Sequence, residues 1–458
     1  MDREKFMIIA IIDIYSERKA RISKDTNGGF GTVNDYGDGL VARLLKQVKA
    51  KSVDWPPLYS VYTTAVLKNQ GHTVKFLRGN LSKFEISSLN SVDLCLVTTS
   101  IVCHETEISL IRLLKQNQIP VGAIGSVATV LPKPYLEAGA FVISGEPEFF
   151  FKKNPDLEKL KSVQGILTVE TESNLDQLEY PAWEVIFQNS KPQYKLLGLG
   201  EVFLPILATR GCPYSCYHYC TYPLQQGRKL RMRSAQNIVA EMNYWQDKLG
   251  VSLFMFRDPV FSINRRHTVE LCEEIIASGR KFKFIIETHL KNIDDQLAEL
   301  LKQAGLVMVK VGIESPDNQI LTEVKRYSIK NDEQLQKIRL LEKQGIAVTC
   351  FYMFGLPGDT VENCQKTIDY SITINSYGAQ FSVFTPYPGT PIFTQYQDKL
   401  LTTQYENFTQ WHLVFQHDNL SPLQMRQVLN SAYSRYYTRP SWILSKFANK
   451  FFHRRRAN

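Results

Sequence analysis

Apolar residues in the first 150 positions form short runs that alternate with segments of helical spacing. The runs predict buried strands at residues 6–12, 73–77, 92–99, 121–124 and 141–143. Between them, apolar residues at helical spacing predict helices over residues 58–69 and 105–116. Alternating strands and helices are typical of a parallel sheet with helices on both faces. We therefore expect a doubly wound, Rossmann-like α/β domain over residues 1–150, whose ligands bind at the carboxyl ends of the strands.

A second series of the same kind follows. Strand-like runs recur at residues 204–209, 253–256, 284–287, 307–312, 347–353 and 380–385, with helical segments between them. Six βα units predict a full or partial (β/α)6 barrel over residues 196–400, with its chemistry at the carboxyl ends of the strands. Residues 151–195 are mixed in charge and contain Pro181 and Pro192, so we expect a linker that still contributes some structure. Residues 401–458 predict a small helical C-terminal extension.

Composition narrows the class of protein. Of the 458 residues, 44% are hydrophobic and 22% are charged, which excludes wholesale disorder. The net charge of +9 is mild for this length and only weakly supports a nucleic-acid partner. No secretory signal is visible, because Asp13 interrupts the first apolar run, and prolines break the long uncharged segment 370–397. We expect a cytoplasmic protein, where a thiol cluster binds metal more often than it forms disulfides.

Three of the eight cysteines lie close together, directly after the first predicted barrel strand. Cys212, Cys216 and Cys220 can wrap one loop around a metal centre; three thiolates fill three corners of a [4Fe–4S] cube and leave the fourth iron open. The surrounding segment 210–233 is basic and has no acidic residue, which favours thiolates and anionic cofactors. One alternative is a zinc site in which His218 supplies the fourth ligand. The other is that the three cysteines are free and unrelated. The spacing favours the iron–sulfur cluster.

The cysteine segment resembles a known family. Gly211-Cys-Pro-Tyr-Ser-Cys216, at the end of a barrel strand, is similar to the cluster motif of the radical S-adenosylmethionine (SAM) superfamily. Most members space the cysteines CxxxCxxC, whereas this chain has CxxxCxxxC. The flanking residues 219–223 and 227–234 resemble a branch in which the longer spacing occurs. Later strand ends agree with the family in order, at residues 256–258, 311–315, 354–360 and 386–390.

The resemblance implies an enzyme with a [4Fe–4S] cluster and SAM, in which one electron from the reduced cluster releases a 5′-deoxyadenosyl radical. An electron donor of the flavodoxin or ferredoxin type is the implied partner. The implied SAM-binding residues are Tyr219, Glu287, Gly312, Glu314 and Gly355. Solvated or ion-paired loop carboxylates are the alternative for Glu287 and Glu314, and an ordinary turn is the alternative for Gly355. Asp258 is expected either to face the active site or to cap the next helix.

The N-terminal domain resembles the cobalamin-binding domain that precedes the barrel in one large class of radical SAM enzymes. In residues 121–129 and 139–148, small residues follow predicted strands and leave a groove. The implied cobalamin-binding residues are Thr99, Ser100, Gly125, Ser126, Val127, Gly145 and Glu146. The cobalt-ligating DxHxxG motif is absent, and His104 is interpreted as an ordinary helix-start histidine. Residues 27–31, rich in glycine, are expected either to reach over the cofactor or substrate or to form a mobile surface loop.

We therefore expect a cobalamin-dependent radical SAM enzyme that methylates an unactivated carbon. One alternative is a different radical reaction with the same cofactors, such as rearrangement or oxidation. A second is radical modification of RNA. A third, from a different class, is a non-enzymatic zinc module. We expect a small-molecule or lipid-like substrate and no nucleic acid. The aromatic and basic residues 441–458 are compatible with a weak membrane-surface contact, although a helix packed on the barrel with a solvated basic end is favoured.

Overall fold

The first 168 residues build a parallel sheet. The computed structural model describes residues 6–17, 22–52, 55–188, 193–194 and 201–444. Its strands in this first part are β1 (Ile8–Tyr15), β2 (Ile22–Ser23), β3 (Thr32–Val33), β4 (Thr73–Asn80), β5 (Leu94–Thr98), β6 (Val121–Ile124), β7 (Phe141–Ser144) and β8 (Ile166–Thr168). Six of them form one sheet in the order β4-β1-β5-β6-β7-β8, with every pair parallel, while β2 and β3 pair separately. The predicted doubly wound architecture is confirmed.

Helices cover both faces of this sheet. Those that pack on it are α2 (Leu58–Asn69), α3 (His104–Gln116), α4 (Ser126–Val130), α5 (Pro132–Glu137) and α6 (Pro147–Lys153), whereas α1 (Leu40–Ser52) and α7 (Glu184–Phe187) pack in the core of the second sheet. Successive side chains of β1 enter different cores: Ala10 and Ile12 share a core with α3, whereas Ile9 and Ile11 share one with α2 and α6. Because a strand covered on both faces has no polar side, β1 is a continuous apolar run in the sequence.

Two smaller expectations concern this part of the chain. β8 lies in the predicted linker and pairs with β7, Val142 opposite Ile166, so residues 151–195 do contribute regular structure. His104 is the first residue of α3, and its Nδ1 lies 2.9 Å from the hydroxyl of Tyr135. The division of the chain into domains at residues 150, 195 and 400 stays a prediction.

The second sheet is an open half-barrel. Its part of the chain contains β9 (Gln193–Tyr194), β10 (Glu201–Ile206), β11 (Thr209–Arg210), β12 (Arg231–Met232), β13 (Leu253–Phe256), β14 (Lys283–Thr288), β15 (Leu306–Glu314), β16 (Ala347–Phe354) and β17 (Gly378–Val383). The sheet order is β17-β16-β15-β14-β13-β10-β9, parallel except for β9. The six predicted barrel strands are confirmed, and the barrel is partial because β17 and β10 are not paired.

Helices connect these strands and extend the chain beyond them. They are α8 (Tyr222–Gln226), α9 (Ala235–Leu249), α10 (Arg265–Ala277), α11 (Asp295–Gln303), α12 (Asn318–Glu323), α13 (Asn331–Lys343), α14 (Val361–Ile374), α15 (Pro391–Tyr396) and α16 (Pro422–Tyr437). Among the described residues, no helix is long and apolar enough to cross a membrane.

α16 protects the open edge of the half-barrel at β17. The hydroxyl of Tyr433 accepts a hydrogen bond from the Phe381 N–H at 3.1 Å and donates one to the Phe381 carbonyl at 2.8 Å. Tyr437 makes the same pair of bonds with Ala379. An unpaired strand edge invites association with other chains, and these two tyrosines occupy its donors and acceptors. The extension therefore completes the sheet rather than standing apart from it.

A buried ion network joins the half-barrel to the first sheet. Arg210, at the end of β11, is fully buried and forms ion pairs with Glu146 and Glu148 at the start of α6. Arg231, its neighbour on β12, binds Glu146 at 2.7 Å. The Arg210 guanidinium also lies over aromatic rings, 5.4 Å from that of Tyr62. Because these charges are buried away from water, removing one partner would leave another charge buried without compensation, which destabilises the fold.

Arg210→Met removes the centre of this network and leaves two buried carboxylates with one cation. We expect a loss of about 3–5 kcal/mol of unfolding free energy, because breaking a buried pair strands a charge. Urea denaturation followed by circular dichroism measures it. Arg280→Met is the matched control: it breaks the exposed pair with Asp247 and should leave the midpoint unchanged. Equal midpoints for both variants would contradict the structural role of Arg210.

Candidate active site

The loop that carries the three cysteines is held in shape by backbone contacts. β11 and β12 pair with Arg210 opposite Arg231 and close the loop of residues 211–230. Gly211 has a φ of +88°, and a Cβ there would lie 2.1 Å from the Lys229 carbonyl oxygen, so only glycine fits. The N–H of Cys212 donates to the Gly227 carbonyl at 3.2 Å. The cysteine loop is therefore folded back on itself.

The three thiols line one large cavity inside the half-barrel. This barrel cavity has a volume of about 520 Å³ and lies at the carboxyl ends of the strands. Cys212 and Cys216 are buried. A hydrogen bond from Cys220 and the nearby Arg326 guanidinium lower the pKa of Cys216 to about 6 against the opposing effect of burial, whereas burial raises the pKa of Cys212 to about 11. Cys216 thus has thiolate character before any metal is considered.

The donor set fits an iron–sulfur cluster better than a single zinc ion. His218, the fourth zinc ligand considered from the sequence, is not among the residues that line the barrel cavity. Within the described ranges, no three His, Cys, Asp or Glu side chains are arranged to hold one metal ion. The thiolates of a [4Fe–4S] cube each bind a different iron, so they do not need to converge on one point.

Glu314 and Arg326 lie next to Cys216 in the barrel cavity. Glu314 ends β15 with an unusual φ of +65°, and its Oε1 lies 3.6 Å from Nη2 of Arg326. The same nitrogen donates to the Gly312 carbonyl at 2.9 Å, and a Cβ on Gly312 would lie 2.5 Å from the Glu314 carboxylate. Burial raises the pKa of Glu314. Gly312, Glu314 and Tyr219, all predicted to bind SAM, therefore meet beside Cys216.

The other two predicted SAM residues, Glu287 and Gly355, do not lie beside Cys216. Glu287 lines the barrel cavity, but its Oε1 is ion-paired with Arg257 and Lys310, each at 3.3 Å. Despite burial, these two cations hold the pKa of Glu287 below its usual range. Gly355 is not among the cavity-lining residues; its N–H donates to Asp359, and a Cβ would meet Met425 of α16. Their roles in SAM binding stay predictions.

The expectation for Asp258 was wrong in both of its forms. Its carboxylate neither faces the barrel cavity nor caps the next helix, where Asn264 accepts from the His267 N–H instead. It accepts hydrogen bonds from the Ala208 N–H at 3.2 Å and from the Thr209 hydroxyl at 2.7 Å. Burial raises the pKa of Asp258 to about 6. Asp258 therefore anchors the entry to the cysteine loop.

Sequence reasoning missed the cations of the cavity and one aromatic residue. Arg326 follows α12, Arg257 follows β13, Lys310 lies on β15, and Trp55 lies between α1 and α2. No motif groups them. The one available signal was Lys310, a charge inside an otherwise apolar strand, since a buried lysine requires a partner.

A second cavity, the strand-end groove, lies at the carboxyl ends of the first sheet. Thr99, Gly125, Ser126, Gly145 and Glu146 line it, as predicted for cobalamin. Two predicted residues do not: Ser100 donates its N–H and hydroxyl to Glu107, and the Val127 side chain packs in the core. Thus five of the seven predicted residues share one groove, and their binding role stays a prediction.

The chemistry of the groove suits a ligand with hydrogen-bond donors. Asp25 lines it, and its buried Oδ2 has no hydrogen-bond partner. No histidine is present among the described residues that line the groove, in keeping with the missing DxHxxG motif. The groove encloses about 50 Å³, much less than a corrin ring or a nucleotide, so its closed part has room for no more than a small side arm. Its residues fit cobalamin within that limit.

The glycine-rich segment lies between the groove and the cysteine loop. Gly29 lines the groove and Asn27 lines the barrel cavity. The hydroxyl of Thr221, next to Cys220, donates to the Asn27 carbonyl at 2.9 Å. A Cβ on Gly29 would lie 2.4 Å from the Ser126 hydroxyl, and Phe30 is fully buried. Of the two interpretations, the one that places this segment over the binding sites agrees with the structure.

Comparison with known proteins agrees with this geometry. Residues 206–371 match the family model of the radical SAM superfamily. An uncharacterized methyltransferase of Pyrococcus horikoshii is 23% identical over 421 residues, covering 85% of this chain and 89% of the relative. Bacteriochlorophyllide d C-12(1)-methyltransferase of Chlorobaculum tepidum is 28% identical over 215 residues, covering 46% and 47%.

A solved structure has the same fold over nearly the whole chain. It is the radical SAM methyltransferase TsrM from Kitasatospora setae, with cobalamin and a [4Fe–4S] cluster bound; the TM-score is 0.66 at 14% identity, covering 95% of this chain and 90% of TsrM. Fold and site define an enzyme with a cluster-binding half-barrel behind a doubly wound domain. Residues 206–371 are thus similar to the radical SAM superfamily, and the chain as a whole has the fold of TsrM.

Replacing Cys212, Cys216 or Cys220 singly by Ala should abolish cluster assembly, because each thiolate is the protein ligand of a different iron of the cube. Iron and sulfide analysis of anaerobically reconstituted protein should fall from about four of each per chain to near zero. His218→Ala and the buried Cys272→Ala are the controls and should keep the full content. Retention of iron by the three cysteine variants, or one bound zinc in place of iron, would refute the assignment.

Proposed function

We propose that this chain is a cobalamin-dependent methyltransferase that acts on an unactivated carbon of a small molecule. The observation that carries the proposal is the junction at residues 27–29, where the strand-end groove and the barrel cavity meet beside the cysteine loop. The relative and the solved structure that match nearly the whole chain bear the name methyltransferase, which favours methylation over rearrangement or oxidation.

Each site has residues suited to its group. Cys212, Cys216 and Cys220 would hold the cluster, and Glu314 with Gly312 and Tyr219 would bind SAM beside it. The five groove residues around Gly125 would hold part of the cobalamin. When bound, these groups supply a hydrogen-abstracting radical and a transferable methyl group.

The protein's own contribution is positioning and exclusion of water. Arg326 stabilises the Cys216 thiolate and keeps Glu314 in place through the Gly312 carbonyl. Tyr219 packs edge-on against Phe384, with ring centroids 6.1 Å apart, and both rings line the barrel cavity near Cys216 and Cys220. A dry cavity strengthens these electrostatic contacts and protects reactive groups from water.

An acidic electron-transfer protein suits the outer side of the cysteine loop. Arg228, Lys229, Lys291 and Lys325 are exposed there. Arg228 lies 4.0 Å from the ring of Tyr217, Lys291 lies 4.4 Å from that of Tyr214, and Ser215 donates to the Lys325 carbonyl at 2.8 Å. Such a cationic rim attracts a donor of the flavodoxin or ferredoxin type by charge complementarity. A reducing compartment would keep the thiols free for iron, so we place the enzyme in the cytoplasm.

Cobalamin uptake by the anaerobically reconstituted protein tests the proposed function. Wild-type protein should retain about one corrinoid per chain after gel filtration, read from its visible spectrum. Ser126→Leu fills the groove and should lower that content about tenfold while iron content is unchanged. Ser109→Leu on the exposed face of α3 is the control and should behave as wild type. Wild-type protein that assembles the cluster but takes up no corrinoid would refute the methyltransferase proposal.

A lipid-like substrate taken from a membrane surface is the more specific form of the proposal. α1 exposes an apolar stripe at every fourth position, Leu40 at 75%, Leu44 at 53% and Val48 at 57%. The helix contains basic residues and no acidic one, and Val48 and Lys49 also line the barrel cavity. A cationic helix with an outward apolar stripe is suited to an anionic lipid surface. Most of the aromatic tail, residues 445–458, lies outside the described residues.

Vesicle sedimentation tests this contact. Wild-type protein should pellet with phosphatidylglycerol vesicles and much less with phosphatidylcholine vesicles, and more weakly as salt rises. The triple variant Leu40→Ser, Leu44→Ser, Val48→Ser should lower the bound fraction several-fold, since it removes the apolar stripe. Leu423→Ser, which removes one exposed leucine of α16, is the control. Equal sedimentation of the triple variant and wild type would exclude α1 as the contact.

A further inference from the structure

The wall of the barrel cavity contains a buried charge cluster of Glu287, Arg257 and Lys310, away from the cysteine loop. Glu287 on β14 lies 3.3 Å from Arg257, directly after β13, and 3.3 Å from Lys310 on β15. The hydroxyl of Tyr222 donates to its other oxygen at 3.4 Å. The side chains of Arg257 and Lys310 are only 7% and 10% exposed. Two buried cations therefore share one carboxylate, and they hold its pKa below the usual range against the opposing effect of burial.

The cluster retains an excess of positive charge. Asp25 is the other carboxyl that interacts with Arg257, and burial raises the pKa of Asp25 to about 7, so it is partly protonated at neutral pH. Arg257 also donates to the Asp25 backbone carbonyl at 3.1 Å, which carries no net charge. An unbalanced buried cation is costly, and a bound anion would remove that cost.

The two cations also have donors to spare. The Lys310 ammonium has three N–H groups, and its partners among the described residues are the Glu287 oxygen and, at 3.6 Å, the sulfur of Met255. The Trp55 ring lies beneath both cations, 5.0 Å from the Arg257 guanidinium and 5.1 Å from Lys310. A flat apolar surface and two directed cations thus stand side by side.

The cluster lies away from the cysteine end of the same cavity. Lys310 and Glu314 both belong to β15, and four residues of extended strand span about 13 Å. Both residues line the barrel cavity, whose total volume of about 520 Å³ is the size of a small-molecule site. A molecule held at Lys310 would reach toward Glu314 and the cysteine loop.

We propose that Arg257 and Lys310 form a subsite for a carboxylate of the substrate, with Trp55 supporting the adjacent flat part of the molecule. A carboxylate carries a single charge and therefore matches this partial excess of positive charge better than a dianionic phosphate does. The proposal rests on the function above in one respect, since it assumes that the substrate enters the barrel cavity. It makes Arg257 and Lys310 binding residues and Glu287 the residue that holds them in position.

Binding of two matched probes tests the subsite. The probes are 1-naphthoate and its uncharged twin 1-naphthamide, titrated by calorimetry into the cluster-reconstituted protein. Wild-type protein should bind the acid about tenfold more tightly than the amide, because only the acid forms charge-assisted hydrogen bonds. Arg257→Met and Lys310→Met should each abolish that preference without changing amide affinity. Arg266→Met, an exposed cation on α10, is the control.

Glu287→Gln provides a test in the opposite direction. It frees both cations from their resident carboxylate, so the acid should bind more tightly than to wild type while the amide is unaffected. This variant keeps the inference falsifiable if a cation-to-methionine variant fails to fold. Equal affinity of acid and amide for wild-type protein, or weaker acid binding to Glu287→Gln, would overturn the subsite. A preference for 1-naphthyl phosphate over 1-naphthoate would overturn the carboxylate assignment.

The outcome is separable from that of the proposed function. Corrinoid uptake is measured on the same preparations. A protein that takes up no corrinoid but prefers the acid retains the subsite and loses the methyltransferase proposal. A protein that takes up corrinoid but binds both probes equally retains the proposed function and loses the subsite.

Discussion

The buried guanidinium of Arg210 is the contact on which the geometry of the rest depends. It comes two residues before the first cluster cysteine, and its partners Glu146 and Glu148 begin a helix of the other sheet. Glu146 also lines the strand-end groove. The separation between groove and cysteine loop is thus set by buried ion pairs instead of by a flexible linker. Because such pairs are stable only when all partners are present, the two sites form together or not at all.

Buried ion pairs also determine the arrangement of charges in the barrel cavity. Its charges occur as desolvated pairs at two ends, Glu314 with Arg326 near the thiols and Glu287 with Arg257 and Lys310 farther along β15. Between the ends, aromatic side chains exclude water and leave the charges unscreened. The cavity can therefore orient a molecule that has a polar group at one end and a reacting carbon at the other. α16 makes this possible, since its tyrosines close the sheet edge that would otherwise open the cavity to solvent.

Much of the fold follows from short-range pattern. Strands buried on both faces appear as continuous apolar runs, and every predicted strand of both sheets overlaps an observed one. The cysteine loop could also be predicted, since its three thiols lie within nine residues of the sequence. Asp258 shows where such reasoning fails. Its position after a strand suggested the active site or a helix cap, yet it binds the backbone of Ala208 and Thr209, some fifty residues earlier. Ser100 and Val127 are sequence neighbours of groove residues, yet neither lines the groove. The Ser100 hydroxyl binds Glu107, and the Val127 side chain packs in the hydrophobic core.

By itself the sequence determined the two series of strands and helices, the cluster loop and the small residues at the strand ends. All of these depend on side-chain periodicity and turn geometry within a few residues. Only the tertiary structure decided which charges meet. Arg326 reaches Cys216, Arg257 and Lys310 share Glu287, and Trp55 lies beneath both cations. These partners come from separate strands and loops, so their distances depend on sheet register and on packing between the two sheets. A charged residue in an apolar strand indicates that a partner is required, but only the fold shows which residue that partner is.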